Sequence, residues 1–273
     1  MTRPGKWEVS RTLFRVAMMA LIMSPLLGYS FFSGNFSSAL LFGKLHLTDP
    51  LAFLQILLAR PWETTFGFVF SAALVLGVYV LLGRVYCGWV CPLGAVLEWI
   101  GRLPFFPRQA ESNGSGPGRK YELLAVILLA SLVGSVPFFL LFSPMAQFER
   151  MLAFGLSASV VLLVGVLALD ALKGAGYWCH SLCPLGAFYS LVGRWRLLGP
   201  RIAPGACNAC GRCWQSCPAG AEVIHDAVTR EDRSIIQADC TNCGKCIDVC
   251  PQDALSFGMR RGEPGLPMSG KAS

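Results

Sequence analysis

Before residue 175 the chain alternates long apolar blocks with short polar connections. The blocks run from Leu13 to Phe32, from Thr65 to Leu82, from about Tyr121 to Phe142 and from about Leu152 to Leu172. A helix needs about 20 apolar residues to cross a hydrocarbon core of roughly 30 Å, so the pattern predicts four transmembrane helices. Pro25 and Pro137 fall inside two of them, where membrane helices tolerate a kink. Between the first two blocks, residues 33–64 read as one polar-to-mixed loop. Leu51 to Ala59 is apolar but too short to span, which suits an interfacial or re-entrant segment. Beyond residue 200 the pattern changes to a polar, Gly- and Cys-rich sequence of soluble type.

Composition agrees with a membrane part joined to a soluble tail. Of the 273 residues 54% are hydrophobic and 14% charged, against roughly 25% charged in an average soluble domain. Mean hydropathy is +0.53. The net charge of +7 comes without a basic stripe interleaved with aromatics, so nucleic acid is not an expected partner and lipid head groups are. Arg3, Lys6, Arg11 and Arg15 precede or open the first block; Arg84, Arg102, Arg108, Arg119 and Lys120 follow the second; Lys173, Arg194, Arg196 and Arg201 follow the fourth. The opposite side would carry only Lys44, Arg60 and Arg150, so both termini are expected in the cytoplasm. The first block is longer than a signal-peptide core and lacks a small-residue exit, so it reads as an uncleaved anchor.

The sequence also repeats itself. Tyr86-Cys87-Gly88-Trp89-Val90-Cys91-Pro92-Leu93-Gly94-Ala95 returns 92 residues later as Trp178-Cys179-His180-Ser181-Leu182-Cys183-Pro184-Leu185-Gly186-Ala187. Pro suits the first turn of a helix, and apolar residues then recur at helical spacing, at Leu93, Val96, Leu97 and Ile100 and at Leu185, Phe188, Tyr189 and Val192. Each copy is expected to continue as an amphipathic helix on the inner membrane face. Two hairpins of like orientation make a parallel repeat about the membrane normal. The fold expected is therefore membrane α-helical, with four transmembrane helices as two parallel hairpin repeats and a C-terminal α+β domain. Its divisions are 1–110 for the first hairpin, 111–120 for a flexible linker, 121–200 for the second hairpin, 201–258 for the soluble domain and 259–273 for a disordered tail.

The chemistry is carried by cysteine, whose 12 copies all fall in four motifs. Cys207-x2-Cys210-x2-Cys213-x3-Cys217-Pro218 and Cys240-x2-Cys243-x2-Cys246-x3-Cys250-Pro251 have the spacing by which bacterial ferredoxins hold two [4Fe-4S] clusters. In that arrangement the fourth Cys of each run serves the other cluster. Cys207, Cys210, Cys213 and Cys250 would hold one, and Cys240, Cys243, Cys246 and Cys217 the other. Paired zinc ribbons and a disulfide knot are the alternatives, but neither uses a third close Cys followed by x3-Cys-Pro. Cys87, Cys91, Cys179 and Cys183 read as a metal or cluster site, as thiols that cycle with a disulfide, or as small apolar groups packing a tight turn. His180 lies between two of them. His46, Asp49 and His180 are weak candidates for meeting a quinol or taking its proton.

Taken together, the loop Gly34 to Phe42 with Leu47-Thr48-Asp49-Pro50, both Cys-x3-Cys-Pro motifs and both ferredoxin runs resemble the NapH family and its relative MauN. The resemblance implies a bacterial inner-membrane protein, the membrane component of a quinol dehydrogenase. Such a protein takes electrons from the quinone pool through [4Fe-4S] clusters toward a periplasmic reductase, by way of a partner iron–sulfur protein and c-type cytochromes. Pro251 and the stretch Ala219-Gly220-Ala221-Glu222 depart from NapH, leaving methylamine utilisation beside nitrate reduction. A maturation or redox-sensing role for a partner metalloenzyme is the rival from another class.

Overall fold

The computed structural model describes residues 5–23, 32–35, 38–41, 45–101, 118–143, 146–147, 158–174, 176–203, 205–229 and 234–259. Residues 111–117 of the expected linker and 260–273 of the expected tail lie outside these; Gly118 to Lys120 already form the first turn of a helix. Helix α1 (Lys6–Met23) leads to an antiparallel meander of β1 (Phe32–Asn35), β2 (Ser38–Leu41) and β3 (Leu45–Thr48), then to α2 (Pro50–Ala59) and α3 (Phe66–Leu82). A π-helical turn, Tyr86–Val90, opens α4 (Pro92–Ile100). The second half follows with α5 (Gly118–Gly134), α6 (Phe138–Phe142) and α7 (Ala158–Lys173), a second π-helical turn at Trp178–Leu182, and α8 (Pro184–Gly193). Strands β4 (Leu198–Ile202) and β5 (Leu255–Met259) pair antiparallel around α9 (Arg212–Gln215), α10 (Glu222–Thr229) and α11 (Lys245–Asp248).

The four-span expectation, and with it the multi-pass inner-membrane placement, is corrected by this structure. Among the described residues no helix is long and apolar enough to cross a membrane. Helix α3 is strongly apolar but has 17 residues, about 26 Å at 1.5 Å per residue against a core of roughly 30 Å. Helix α7 has 16 residues. The third block breaks: α5 ends at Gly134, Ser135 takes φ 50, and a five-residue helix resumes after Pro137. Helix α1 has 18 residues but holds Lys6, Glu8, Arg11 and Arg15. Its charged side faces inward, where Arg11 (1% exposed) and Arg15 pair with Glu98 of α4 at 2.6 and 3.2 Å.

The two helices that follow the Cys-x3-Cys-Pro turns differ in how much of their surface is buried. Helix α8 lies inside, with Leu185, Ala187, Tyr189, Ser190 and Val192 all buried against α3 and α5. Helix α4 buries Leu93 and Leu97 against Leu163 and Val166 of α7 and leaves Trp99 exposed.

The C-terminal part is fastened to the helices at several points. The Asp248 carboxylate accepts from the amides of Trp7 and Glu8 at 3.2 and 2.9 Å, close to the start of α1. Asn242 donates to the Leu82 and Leu198 carbonyls at 2.6 and 2.9 Å, satisfying the last turn of α3. Buried Arg196 donates to the carbonyls of Ile235, Gln237 and Cys240.

Candidate metal centres

The two ferredoxin runs fold as copies 33 residues apart. In each, the residue before the second Cys is left-handed (Ala209 φ 52, Asn242 φ 49), as is the Gly after it (Gly211 φ 83, Gly244 φ 75). The third residue past the fourth Cys is left-handed as well (Gly220 φ 99, Asp253 φ 48). Such turns hold successive amides on one concave side, an anion-binding backbone suited to cluster sulfur.

Cys207, Cys210, Cys213 and Cys250 line one cavity, closed by Val228 and Leu255. Cys207 and Cys210 are exposed, so this cavity reaches the surface. Cys217, Cys240, Cys243 and Cys246 are buried, and burial and their mutual proximity push the Cys217 and Cys246 thiols well up. Cys217 lies near Cys240, Cys243 and Cys246, and Cys213 lies near Cys246 as well. Among the described residues no three His, Cys, Asp or Glu converge on a single ion. All 12 cysteines are unbridged.

The Cys-x3-Cys-Pro motifs lie directly against the deeper set. A Cβ on Gly88 would stand 2.8 Å from the Thr241 carbonyl oxygen, and Trp89 Nε1 donates to the Asn242 carbonyl at 3.0 Å. From the second copy, His180 donates to the backbone of Pro218 and packs on Gly220. Burial pushes the His180 imidazole down to about 4, so it is neutral. Cys91 and Cys183 each cap the following helix and accept from the amides of Gly94 and Gly186 at 3.4 Å. Burial, then the neighbouring Cys87, pushes their thiols up to about 12 and about 11.

Beneath them runs a charge network. Arg84, 2% exposed, donates to Asp239 Oδ1 at 2.6 Å, Ser190 Oγ at 3.2 Å and the Cys179 carbonyl at 3.4 Å, with Nη2 4.0 Å from Cys87 Sγ. Buried Lys120 also pairs with Asp239. Burial alone would raise the Asp239 carboxyl, but Arg84 and Lys120 hold it well below the usual range.

Of the weaker candidates, Asp49 caps α2, accepting from the Ala52 amide at 3.3 Å and from the Tyr189 hydroxyl. Tyr79 and Tyr86 pack on Tyr189 with centroids at 4.4 and 5.8 Å. Burial pushes the Asp49 carboxyl up to about 6, against those hydrogen bonds. Thr48 Oγ1 at the end of β3 and both amide atoms of Gln55 on the buried side of α2 have no partner among the described residues. His46 lies in β3 opposite Leu40.

Asp49 gives a test of this local electrostatics. Its folded value lies above its ordinary 3.8, so the favourable protonated form is fully present below about pH 4 and lost as pH rises through about 6. Asn caps a helix as well as Asp. The Asp49→Asn variant is therefore expected to gain on the wild type between pH 4 and 6 and to stay ahead by up to about 3 kcal/mol above that. Unfolding midpoints of the two proteins across pH 4.5–7.5 check this; a difference independent of pH contradicts it.

The comparisons with known proteins fall on these parts. A family model described as a 4Fe-4S binding domain matches residues 64–109 and 154–202, the two stretches that hold the Cys-x3-Cys-Pro motifs. A 4Fe-4S dicluster domain matches 199–255. The methylamine utilization ferredoxin-type protein MauN of Paracoccus denitrificans is 36% identical over 242 residues, covering 85% of this chain and 82% of that protein. The ferredoxin-type protein NapH of Haemophilus influenzae is 32% identical over 85% of this chain and 83% of its own, and NapH of Escherichia coli 31% over 79% and 76%. No solved structure matches.

Proposed function

Because the chain belongs to the NapH/MauN family of ferredoxin-type, 4Fe-4S-binding electron-transfer proteins, we propose that it takes electrons from quinol and passes them singly through two [4Fe-4S] clusters toward a periplasmic reductase. The observation that carries this reading is the gathering of eight cysteines into one buried and one surface-reaching set. Cys217, Cys240, Cys243 and Cys246 would hold the inner cluster, and Cys207, Cys210, Cys213 and Cys250 the outer. Each cluster, when bound, exchanges one electron, and a pair suits a donor that gives two. The exposed loop at Cys207 and Cys210 is where a partner iron–sulfur protein leading to c-type cytochromes would approach.

Quinol also gives up two protons. Asp49 supports a donor site near α2: its raised carboxyl can accept one proton at neutral pH, and Tyr189 orients it. Thr48 and Gln55 supply unpartnered buried groups that a quinol head group would satisfy. Whether the branch served is nitrate reduction, as in NapH, or methylamine utilization, as in MauN, follows from which partner accepts the electrons.

The test is low-temperature EPR of the anaerobically purified protein before and after addition of a quinol, with dithionite as full reduction. Reduction by quinol is expected, slowed at least tenfold in Asp49→Asn. Reduction by dithionite alone would overturn the quinol reading in favour of maturation or redox sensing.

A further inference from the structure

Helix α1 precedes every cysteine motif and lies outside residues 64–109, 154–202 and 199–255 that the family models match. One of its side chains is nevertheless buried against the second ferredoxin run with donors to spare. Arg11 is 1% exposed, and its Nη2 donates to Glu98 Oε1 at 2.6 Å. Its Nε and Nη1 have no partner among the described residues. Leaving charged donors unpaired in the interior is costly, so they call for an acceptor that the polypeptide around them does not supply. We propose that Arg11 donates from Nε and Nη1 to cluster sulfur at the inner site of Cys217, Cys240, Cys243 and Cys246, and thereby raises the potential at which that site takes an electron. This rests on the two-cluster reading above.

The neighbours of Arg11 on α1 place it there. Trp7, Arg11 and Arg15 are spaced by four and so lie in one row along the helix. At one end of the row Trp7 packs on Gly244, whose left-handed φ of 75 and lack of a side chain admit the ring; a Cβ there would stand 2.6 Å from Trp7 Cγ. At the other end Arg15 donates to the Gly88 carbonyl at 2.6 Å, and a Cβ on Gly88 would stand 2.8 Å from the Thr241 carbonyl oxygen. Arg11 lies between, over the stretch from Thr241 to Gly244 that contains Cys243.

Two further bonds fix the row. Asp248 accepts from the Trp7 and Glu8 amides, and Lys245 Nζ stands 3.5 Å from the same Glu98 oxygen that Arg11 holds. The Arg11 charge reaches the Cys243 sulfur, where it opposes the upward push of burial on that thiol.

Charge fits the same role. Arg11, Arg15 and Lys245 share the Glu98 carboxylate, while the nearby Asp248 is taken up by the two amides. Three cations around one buried carboxylate favour a further anion beside them. A cluster held by thiolates is such an anion, and net charge and hydrogen bonds to sulfur are among the features that set its potential. The planar fork of Arg can hold Glu98 on one side and sulfur on the other, which a Lys cannot. Positive charge and N–H donors favour the reduced form. A raised potential is what a mild reductant such as a quinol requires of its acceptor.

The experiment is a redox titration read by EPR on the anaerobically reconstituted full-length protein, as wild type, Arg11→Met, Arg11→Lys and Glu98→Gln, with iron per chain measured in each. In Arg11→Met one of the two reduction waves is expected to move down by at least about 59 mV, a tenfold loss in the one-electron equilibrium, while the other stays. Arg11→Lys returns the charge without the fork and is expected to fall between. Glu98→Gln breaks the same ion pair but keeps the guanidinium, so neither wave is expected to move down; a merely structural pair would lower the wave in both variants alike. Waves that do not move in Arg11→Met, or that move together, overturn the inference and leave the two clusters standing. If Arg11→Met fails to assemble the inner cluster, Arg11→Lys decides: a lowered wave supports the fork, and the wild-type potential overturns it. A wild type with fewer than two waves overturns the two-cluster reading, and this inference with it.

Discussion

Replacing Cys250 with Ser opens Cys207, Cys210 and Cys213 to alkylation, leaves Cys240, Cys243 and Cys246 protected, and removes about four iron atoms per chain. Sequence proximity would suggest the reverse, since Cys250 closes the run that begins at Cys240. The prediction follows from where the cysteines lie: Cys250 lines the cavity of Cys207, Cys210 and Cys213, while buried Cys217 neighbours Cys240, Cys243 and Cys246. The mirror variant Cys217→Ser is expected to expose Cys240, Cys243 and Cys246. Its loss is the more damaging to the fold, because Cys217, Cys240 and Cys246 belong to the core with Val223, Ile224 and Ile235. Anaerobic alkylation followed by peptide mass spectrometry reads both variants. If Cys250→Ser instead frees its own run, each run holds its own cluster and the crossed assignment is wrong.

Arg84→Met is expected to destabilise the protein by about 3–5 kcal/mol, the cost of breaking a buried ion pair from one side. The guanidinium follows α3, yet it joins three separate parts: Ser190 of α8, the carbonyl of Cys179 and the carboxylate of Asp239 beside the ferredoxin run. Removing it leaves Asp239 with Lys120 and the Ser190 hydroxyl only, and takes the Arg84 donor from the Cys179 carbonyl. Arg84→Lys restores the charge without the planar fork, so it should recover only part of the loss. Equilibrium denaturation of Arg84→Met, Asp239→Asn and the double variant gives the coupling directly. A change within about 0.5 kcal/mol, as for an exposed pair, would contradict this description of the network.

The cysteine chemistry was legible because ligand spacing is a local property: x2 and x3 gaps and the following Pro are set by the turn that wraps a cluster, and the left-handed residues at 209, 211, 242 and 244 express that turn. The repeat was legible for the same reason, down to Gly94 and Gly186. What the sequence hid was which way charge faces. Arg11, Arg15, Arg84, Lys120 and Arg196 read as positive loop residues beside spans, whereas all five are wholly or largely buried and bonded to Glu98, Asp239 or backbone carbonyls. Their partners lie 39 to 155 residues away, beyond any local pattern. Apolar content likewise misled: hydropathy cannot tell a span from helices of 16 or 17 residues that end at a glycine or a loop. Tyr189 and Asn242 carried no signal at all, since each acts by meeting a residue from another part of the chain.

The most direct test of the account is EPR of the dithionite-reduced, anaerobically purified protein, with metal analysis of the same sample. Two adjacent reduced [4Fe-4S] clusters are expected to give a broadened, mutually coupled signal, which becomes a simple one-cluster spectrum in Cys250→Ser. A protein that holds zinc in place of iron and shows no signal on reduction would contradict the account.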